Sequence, residues 1–352
     1  MVVVANSKNA CWSKAARGSL AAVLLAIAGL AADRAGADII KKEDTLRGIT
    51  MTREECAAKP HTVWINVYRQ DFCVRYYIST AGGQGARPVV FMNGDSNGPI
   101  SPKGWTWADP SAGFDVDTDD LVRIADRFSK MAKTTAIYLA RIGVEGSSGN
   151  HLSRKTLLEL HLMNTALEVI KQRHRFEGFH LAGQSGGSKL AFGLAAMRRD
   201  LGCVISGSGR LGAGSGNRQP NDPGKAFFDV MGSARALAQN GALRMMLITD
   251  PADQAVPASE QTPMAVSLRQ AGRPIPQFFV EATDAKRHAV VDYSVIATAG
   301  CVLGRSDADI ARAVGTLVRR SADINRRQQD EERVKNASQT AFGTMPRPPG
   351  RS

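Results

Sequence analysis

The sequence predicts an α/β fold with a mostly parallel sheet of roughly eight strands and helices on both faces. Three observations carry this. From residue 88 onward, short apolar runs alternate with longer stretches of helical periodicity, a rhythm that requires right-handed crossovers and parallel strands. Ahead of them, two β-rich runs at 62–68 and 72–79 are separated only by Arg69-Gln70-Asp71, the spacing of an antiparallel pair. Finally, 352 residues that are 43% hydrophobic and 22% charged supply enough apolar material for a large core.

The elements follow in order. Residues 88–92 read as a strand, followed by a helix at 119–133. Strand 135–140 leads to helix 154–174, and strand 178–182 to helix 187–199. Strand 203–206 precedes a helix near 226–239, and strand 244–249 precedes a helix at 259–271. Strand 276–281 is the last, with helical sequence from Val290. Residues 207–224 are rich in Gly, Ser, Asn and Pro and read as a loop, and no internal repeat is present.

Both ends differ in character. Lys8, Lys14 and Arg17 precede an apolar Ala/Leu-rich run at 18–32, and Ala35-Gly36-Ala37 supplies small residues at an A-x-A site. This is the pattern of a signal peptide over residues 1–37, with cleavage near Ala37 into the periplasm or medium. The apolar run is short for a membrane span, so no stable membrane insertion is expected after cleavage; an uncleaved anchor is the alternative. The globular domain is expected over 38–323. Residues 324–352 are polar, then proline-rich, and read as a fraying helix and disordered tail.

Losing residues 1–37 removes four basic residues and one acid, lowering the formal charge from +12 to +9. The excess is dispersed, with Arg319-Arg320 and Arg326-Arg327 toward the tail and no interleaved aromatics. It reads as solubility or attraction to an anionic envelope, with no nucleic-acid partner. Cys11 leaves with the signal, and Cys56, Cys73, Cys203 and Cys301 remain. An even number in an exported chain favours disulfides. Of three pairings, Cys56–Cys73 is favoured because both lie near the N-terminal strands, with Cys203–Cys301 following by elimination. No Cys/His spacing indicates a metal.

Gly183-Gln184-Ser185-Gly186-Gly187 stands between the strand at 178–182 and the helix after it. G-x-S-x-G in that setting is a nucleophile elbow: a strained turn exposes the hydroxyl at the sheet's C-terminal edge, near the positive end of the following helix. Gly183 and Gly187 allow strand and helix to approach. A serine hydroxyl needs a base, and the base a partner. His288, in the loop after the last strand, is the single histidine beyond Ser185; His61, His151, His161, His174 and His180 precede it. The strand at 244–249 ends in Asp250-Pro251-Ala252-Asp253-Gln254-Ala255-Val256-Pro257. Asp253 is the favoured acid, since it lies where a loop can reach the histidine; Asp250 is expected to order the turn.

These residues resemble those of the α/β-hydrolases. The elbow, the D-x-x-V-P acid turn, the late histidine and a Gly-rich turn at 141–148 carry the resemblance, which covers roughly residues 62–317 and is closest to exported bacterial esterases and small peptidase-like enzymes with little or no cap. It implies an oxyanion hole made by the N–H of Gly186 and a second N–H from the loop Asn93-Gly94-Asp95. Relatives usually have His-Gly there, and the second donor stays open between Gly94 and Asp95. It also implies no cofactor and a small ester or short-peptide substrate.

Asp115-Val116-Asp117-Thr118-Asp119-Asp120 invites a calcium reading, but the loop lacks the required glycine and glutamate. Capping of the helix at 119–133 fits these acids better. Trp105 and Trp107 are placed either at the site mouth or packed under a loop. The expected function is an exported serine hydrolase of carboxylic esters. A peptidase or amidase and a non-catalytic envelope protein of the same fold are the alternatives, and the oligomeric state is open.

Overall fold

The structure is a computed structural model that describes residues 38–95, 100–101, 104–105, 115–212 and 226–343. The signal-peptide reading, Trp107, the side chain of Trp105 and most of the loop at 207–224 fall outside the described residues. In chain order the elements are β1 (Ile39–Ile40), α1 (Lys42–Arg47), α2 (Arg53–Ala58), β2 (Thr62–Val67), β3 (Gln70–Ser79), β4 (Val89–Met92), β5 (Ile100–Ser101) and β6 (Gly104–Trp105). Then come β7 (Val116–Asp117), α3 (Thr118–Ala132), β8 (Ala136–Leu139), α4 (Leu157–His174), β9 (Phe179–Gln184), α5 (Gly186–Met197) and β10 (Leu201–Gly207). The remainder is α6 (Ala234–Gln239), β11 (Arg244–Thr249), α7 (Ala258–Gln261), α8 (Pro263–Gln270), β12 (Gln277–Phe279), α9 (Val291–Val302) and α10 (Asp307–Gly343).

The large sheet has eight strands in the order β12-β11-β10-β9-β4-β8-β3-β2. β2 pairs antiparallel with β3, and β3 antiparallel with β8; the ladders from β8 through β4, β9, β10 and β11 to β12 are parallel. The expected strand count and antiparallel start therefore hold. Central strands are buried on both faces, which is why they read as unbroken apolar runs in the sequence. Successive residues point to opposite sides. In β4, Val90 and Met92 join one core while Val89 and Phe91 join the other; in β11, Met245 and Leu247 oppose Met246 and Ile248. The first core includes α4 and α5, through Leu162, Met163, Leu190 and Phe192. The second includes α3 and α9, through Leu121, Phe128, Tyr293 and Val295.

Disulfides join Cys56 to Cys73 and Cys203 to Cys301, the two pairings favoured from sequence. The second ties β10 to α9, the helix that follows His288. Asp117 caps α3 by accepting from the Asp119 N–H at 2.8 Å, with Asp119 and Asp120 in the first turn, while Asp115 accepts from Lys41 and the Lys42 N–H. Where the sequence reads as a fraying helix and then a disordered tail from residue 324, α10 continues as helix as far as Gly343. Ion pairs three residues apart, Asp323–Arg326 and Asp330–Arg333, join neighbouring turns of this polar stretch. The helix expected near 226–239 is shorter, α6 starting at Ala234 after a 3₁₀ turn.

Candidate active site

β9 ends at Gln184 and α5 begins at Gly186, leaving Ser185 alone in the turn at φ 54°, ψ −118°. That is a costly backbone for a residue with a Cβ, and it persists because the surroundings fix it. The Ser185 N–H donates to the Gly207 carbonyl at the end of β10 (2.7 Å). Gly187 has no room for a side chain: a Cβ there would meet the Met92 carbonyl oxygen at 2.1 Å. The end of β4 thus touches the elbow, and a Cβ on Gly94 would lie 2.8 Å from that of Ser185. As the first residue of α5, Gly186 has an N–H with no partner inside the helix.

Asp253 and His288 come together from two later loops. The His288 Nδ1 lies 2.8 Å from Asp253 Oδ2 and 3.0 Å from Oδ1. The pairing assigns the proton to Nδ1 and leaves Nε2 as the ring's basic atom. The Asp253 side chain is fully buried and that of His288 is 21% exposed, so the carboxylate is sealed and the ring meets solvent. Burial pushes the Asp253 carboxyl up, but hydrogen bonds from His288 and from the N–H groups of Val256 and Ala255 outweigh it and hold the group below its ordinary value. Gln261 Nε2 adds a contact to Oδ2 at 3.2 Å.

Asp250 has another task. Fully buried, it accepts from Arg287 Nε at 2.7 Å, the Ala282 N–H at 2.7 Å and the Ala252 N–H at 2.8 Å. It orders its own turn, as the sequence suggests, and also anchors the residue before His288. Asp284 accepts from the His288 N–H at 2.9 Å and the Ala289 N–H at 2.7 Å. Gln184 Nε2 donates to the His288 carbonyl at 2.7 Å, linking the histidine loop to the residue preceding Ser185. Among the described residues no hydrogen bond joins the Ser185 hydroxyl to the His288 ring; such bonds often tighten only with substrate bound.

Across Ser185, Asn93-Gly94-Asp95 continues from β4. The Gly94 N–H donates to Asn93 Oδ1 at 2.8 Å. Asp95 meets three cations: Lys155 Nζ at 2.5 Å, Arg141 Nη1 at 2.8 Å and Arg154 Nη1 at 3.5 Å. Burial raises the Asp95 carboxyl, yet Arg141, Arg154 and Lys155 together hold it far below the usual carboxylate range. Arg141 and Glu159 are both fully buried and pair through two bonds, Nε to Oε1 at 2.7 Å and Nη2 to Oε2 at 2.9 Å. Burial also raises the Glu145 carboxyl, which accepts from the Tyr138 hydroxyl.

Three other histidines pack elsewhere. His161 and His174 lie on α4 against Tyr68 and Tyr76, and His180 lies within β9, lowered to about 4 by burial and then by Arg87. Arg141, Glu159, Gln184, Gln261 and Asp284 are absent from the sequence-based site. Among the described residues no cluster of metal-ligating side chains is present.

No protein-family model matches the sequence, and no curated protein sequence matches it significantly. Solved structures do. An esterase of Pyrococcus furiosus is similar with a TM-score of 0.44 and 12% identity, covering 66% of this chain and 86% of that one. Est1E of Butyrivibrio proteoclasticus, solved with ferulic acid bound, gives 0.48 and 12%, covering 69% and 98%. An acylaminoacyl peptidase of Pyrococcus horikoshii gives 0.45 and 13%, covering 67% of this chain but 39% of that one. Numbered along the chain, the large sheet runs 1-2-4-3-5-6-7-8, with the strained serine after the fifth strand and the histidine after the eighth; the chain has the α/β-hydrolase fold.

Proposed function

We propose that the chain is an exported serine hydrolase that cleaves carboxylic esters through an acyl-enzyme on Ser185. The observation that carries this is the Asp253–His288 pair, sealed on the acid side and open on the base side, tied through Gln184 to a serine at positive φ. His288 Nε2 takes the Ser185 hydroxyl proton as Oγ attacks the carbonyl carbon, then gives it to the departing alkoxide. Asp253 holds the ring in the required tautomer and balances the imidazolium charge. The Gly186 N–H and a second N–H from Gly94 or Asp95 bind the oxyanion. Water, deprotonated by His288, then releases the acid and restores Ser185. Two disulfides fit an oxidising compartment and support the export reading. Esters are preferred over amides by analogy of fold alone.

The test is labelling by a fluorophosphonate, expected in the wild type and lost in Ser185→Ala, followed by a panel of aryl esters and aminoacyl anilides. A folded wild-type protein that neither labels nor turns over any ester or anilide sinks the enzyme reading. Turnover of anilides alone would replace ester by amide.

A further inference from the structure

Asp95 is an awkward neighbour for a developing oxyanion. Its carboxylate lies against Gly186, where a Cβ would come within 2.5 Å of Oδ2 and 2.6 Å of Oδ1. Gly186 carries the first oxyanion donor in the reading above, and an uncompensated anion beside it opposes negative charge growing on the substrate oxygen. The three cations compensate it, and Arg141 does more. Its Nη1 also donates to the Asn93 carbonyl at 3.2 Å, so one guanidinium nitrogen grips the loop on both sides of Gly94. Its other edge is fixed on Glu159. The same turn sends the Gly94 N–H into Asn93 Oδ1, whereas the Asp95 N–H donates to no described residue.

The geometry points to Arg141 as a positioning residue for the oxyanion hole: seated on Glu159, it clasps the Asn93 carbonyl and the Asp95 carboxylate and so fixes the turn that leaves the Asp95 N–H as the second donor. This rests on the serine-hydrolase reading and adds to it the group that shapes the hole. Arginine is required because its planar fork reaches two partners from two edges; a lysine ammonium cannot span Glu159 and the loop together. Glycine at 186 follows from the same arrangement, since the Asp95 carboxylate fills the space a side chain would need.

Arg141→Lys and Glu159→Gln test this in the full-length protein. Active sites are titrated to completion with a fluorophosphonate, kcat and KM are measured on an aryl ester, and affinity is measured for a trifluoromethyl ketone, whose hemiketal oxygen occupies the hole. In Arg141→Lys, kcat per titrated site should fall on the order of 10²-fold, the scale of a lost oxyanion donor. Glu159→Gln should lose roughly tenfold, with KM within about twofold of wild type in both variants and trifluoromethyl ketone affinity weakening in step with kcat/KM. A role in folding alone would lower thermal stability and the number of titratable sites while leaving per-site kcat and inhibitor affinity at wild-type values. That result overturns the proposal. Should Arg141→Lys fail to fold, the near-isosteric Glu159→Gln decides. A wild-type protein that does not label removes this proposal with the reading beneath it; a wild type that labels and turns over, beside variants equal to it per site, removes this proposal alone.

Discussion

On one side of Ser185, Asp253 takes N–H bonds from Ala255 and Val256 of its own turn, and His288 is braced by Asp284 four residues earlier. On the other side, Asp95 is held by Arg141, 46 residues away, which is itself seated on Glu159. The first side is a set of local turns that bury one carboxylate against a half-buried ring. The second is a cluster of buried charges drawn from three segments. Local turns cost little to preorganise, because the backbone groups that satisfy the carboxylate are neighbours in the chain. Buried ion pairs carry a desolvation penalty and become strongly destabilising when one partner is lost. Substitutions of Asp253 in its local turn should therefore damage chemistry and largely spare the fold, while those on the oxyanion side should trouble both.

The largest expected effect tests the base side. Asp253→Asn should lower kcat on the order of 10⁴-fold, because the amide favours the wrong imidazole tautomer. Its melting temperature should fall only slightly, by the small contribution that the ionised carboxylate makes to the native state. Asp250→Asn, three residues earlier, should reverse the pattern: it weakens a buried ion pair with Arg287 and should melt earlier, while kcat per titrated site drops far less. Melting curves and active-site-titrated kinetics on the two variants suffice. If Asp250→Asn proves the more damaging to per-site kcat, the acid has been misassigned.

A smaller effect concerns what pins each region. Cys203–Cys301 closes 98 residues and ties β10 to α9, beside the histidine loop; Cys56–Cys73 closes 17 and ties α2 to β3. Loop-closure entropy assigns about 4.7 kcal/mol to the first and about 3 kcal/mol to the second. Replacing the first pair by serine should therefore lower the denaturation midpoint more than replacing the second. Equal losses would show that chain entropy does not set the difference.

The same division governs what could be read in the sequence. The elbow was legible because its signal is local: an apolar strand, a glycine-flanked serine and a helix in succession. Asp253 and His288 were legible through chain order, since each follows a strand and the strands follow one another. Nothing comparable marks Arg141. In sequence it begins a Gly-rich turn, and its role emerges only when that turn packs against the loop after β4. Glu159 is disguised further, because it sits in the first turn of α4, where its N–H donates to the capping Thr156 hydroxyl. Its carboxylate serves Arg141, a use no spacing reveals. The choice between Gly94 and Asp95 stayed open for a related reason: it depends on where the Asn93 side chain turns.

The smallest effect is a difference in acid response. The folded-state Asp253 carboxyl lies below its ordinary value, so its ionised form stabilises the native protein. Above the unfolded carboxyl's pKa of about 3.9 that contribution is complete. As pH falls through this value the unfolded chain takes up its proton first, stability declines, and the decline ends once the folded carboxyl is protonated too. Asp95 is held lower still by its three cations, so its contribution persists to more acid pH. Urea denaturation at several pH values from about 5.5 to 3 should give a shallower loss of stability for Asp253→Asn than for the wild type, because the variant lacks this titration. Identical slopes throughout would mean that Asp253 gains nothing from its bonds to Ala255, Val256 and His288, and the contrast between a locally braced acid and a cation-held one would lose its energetic basis.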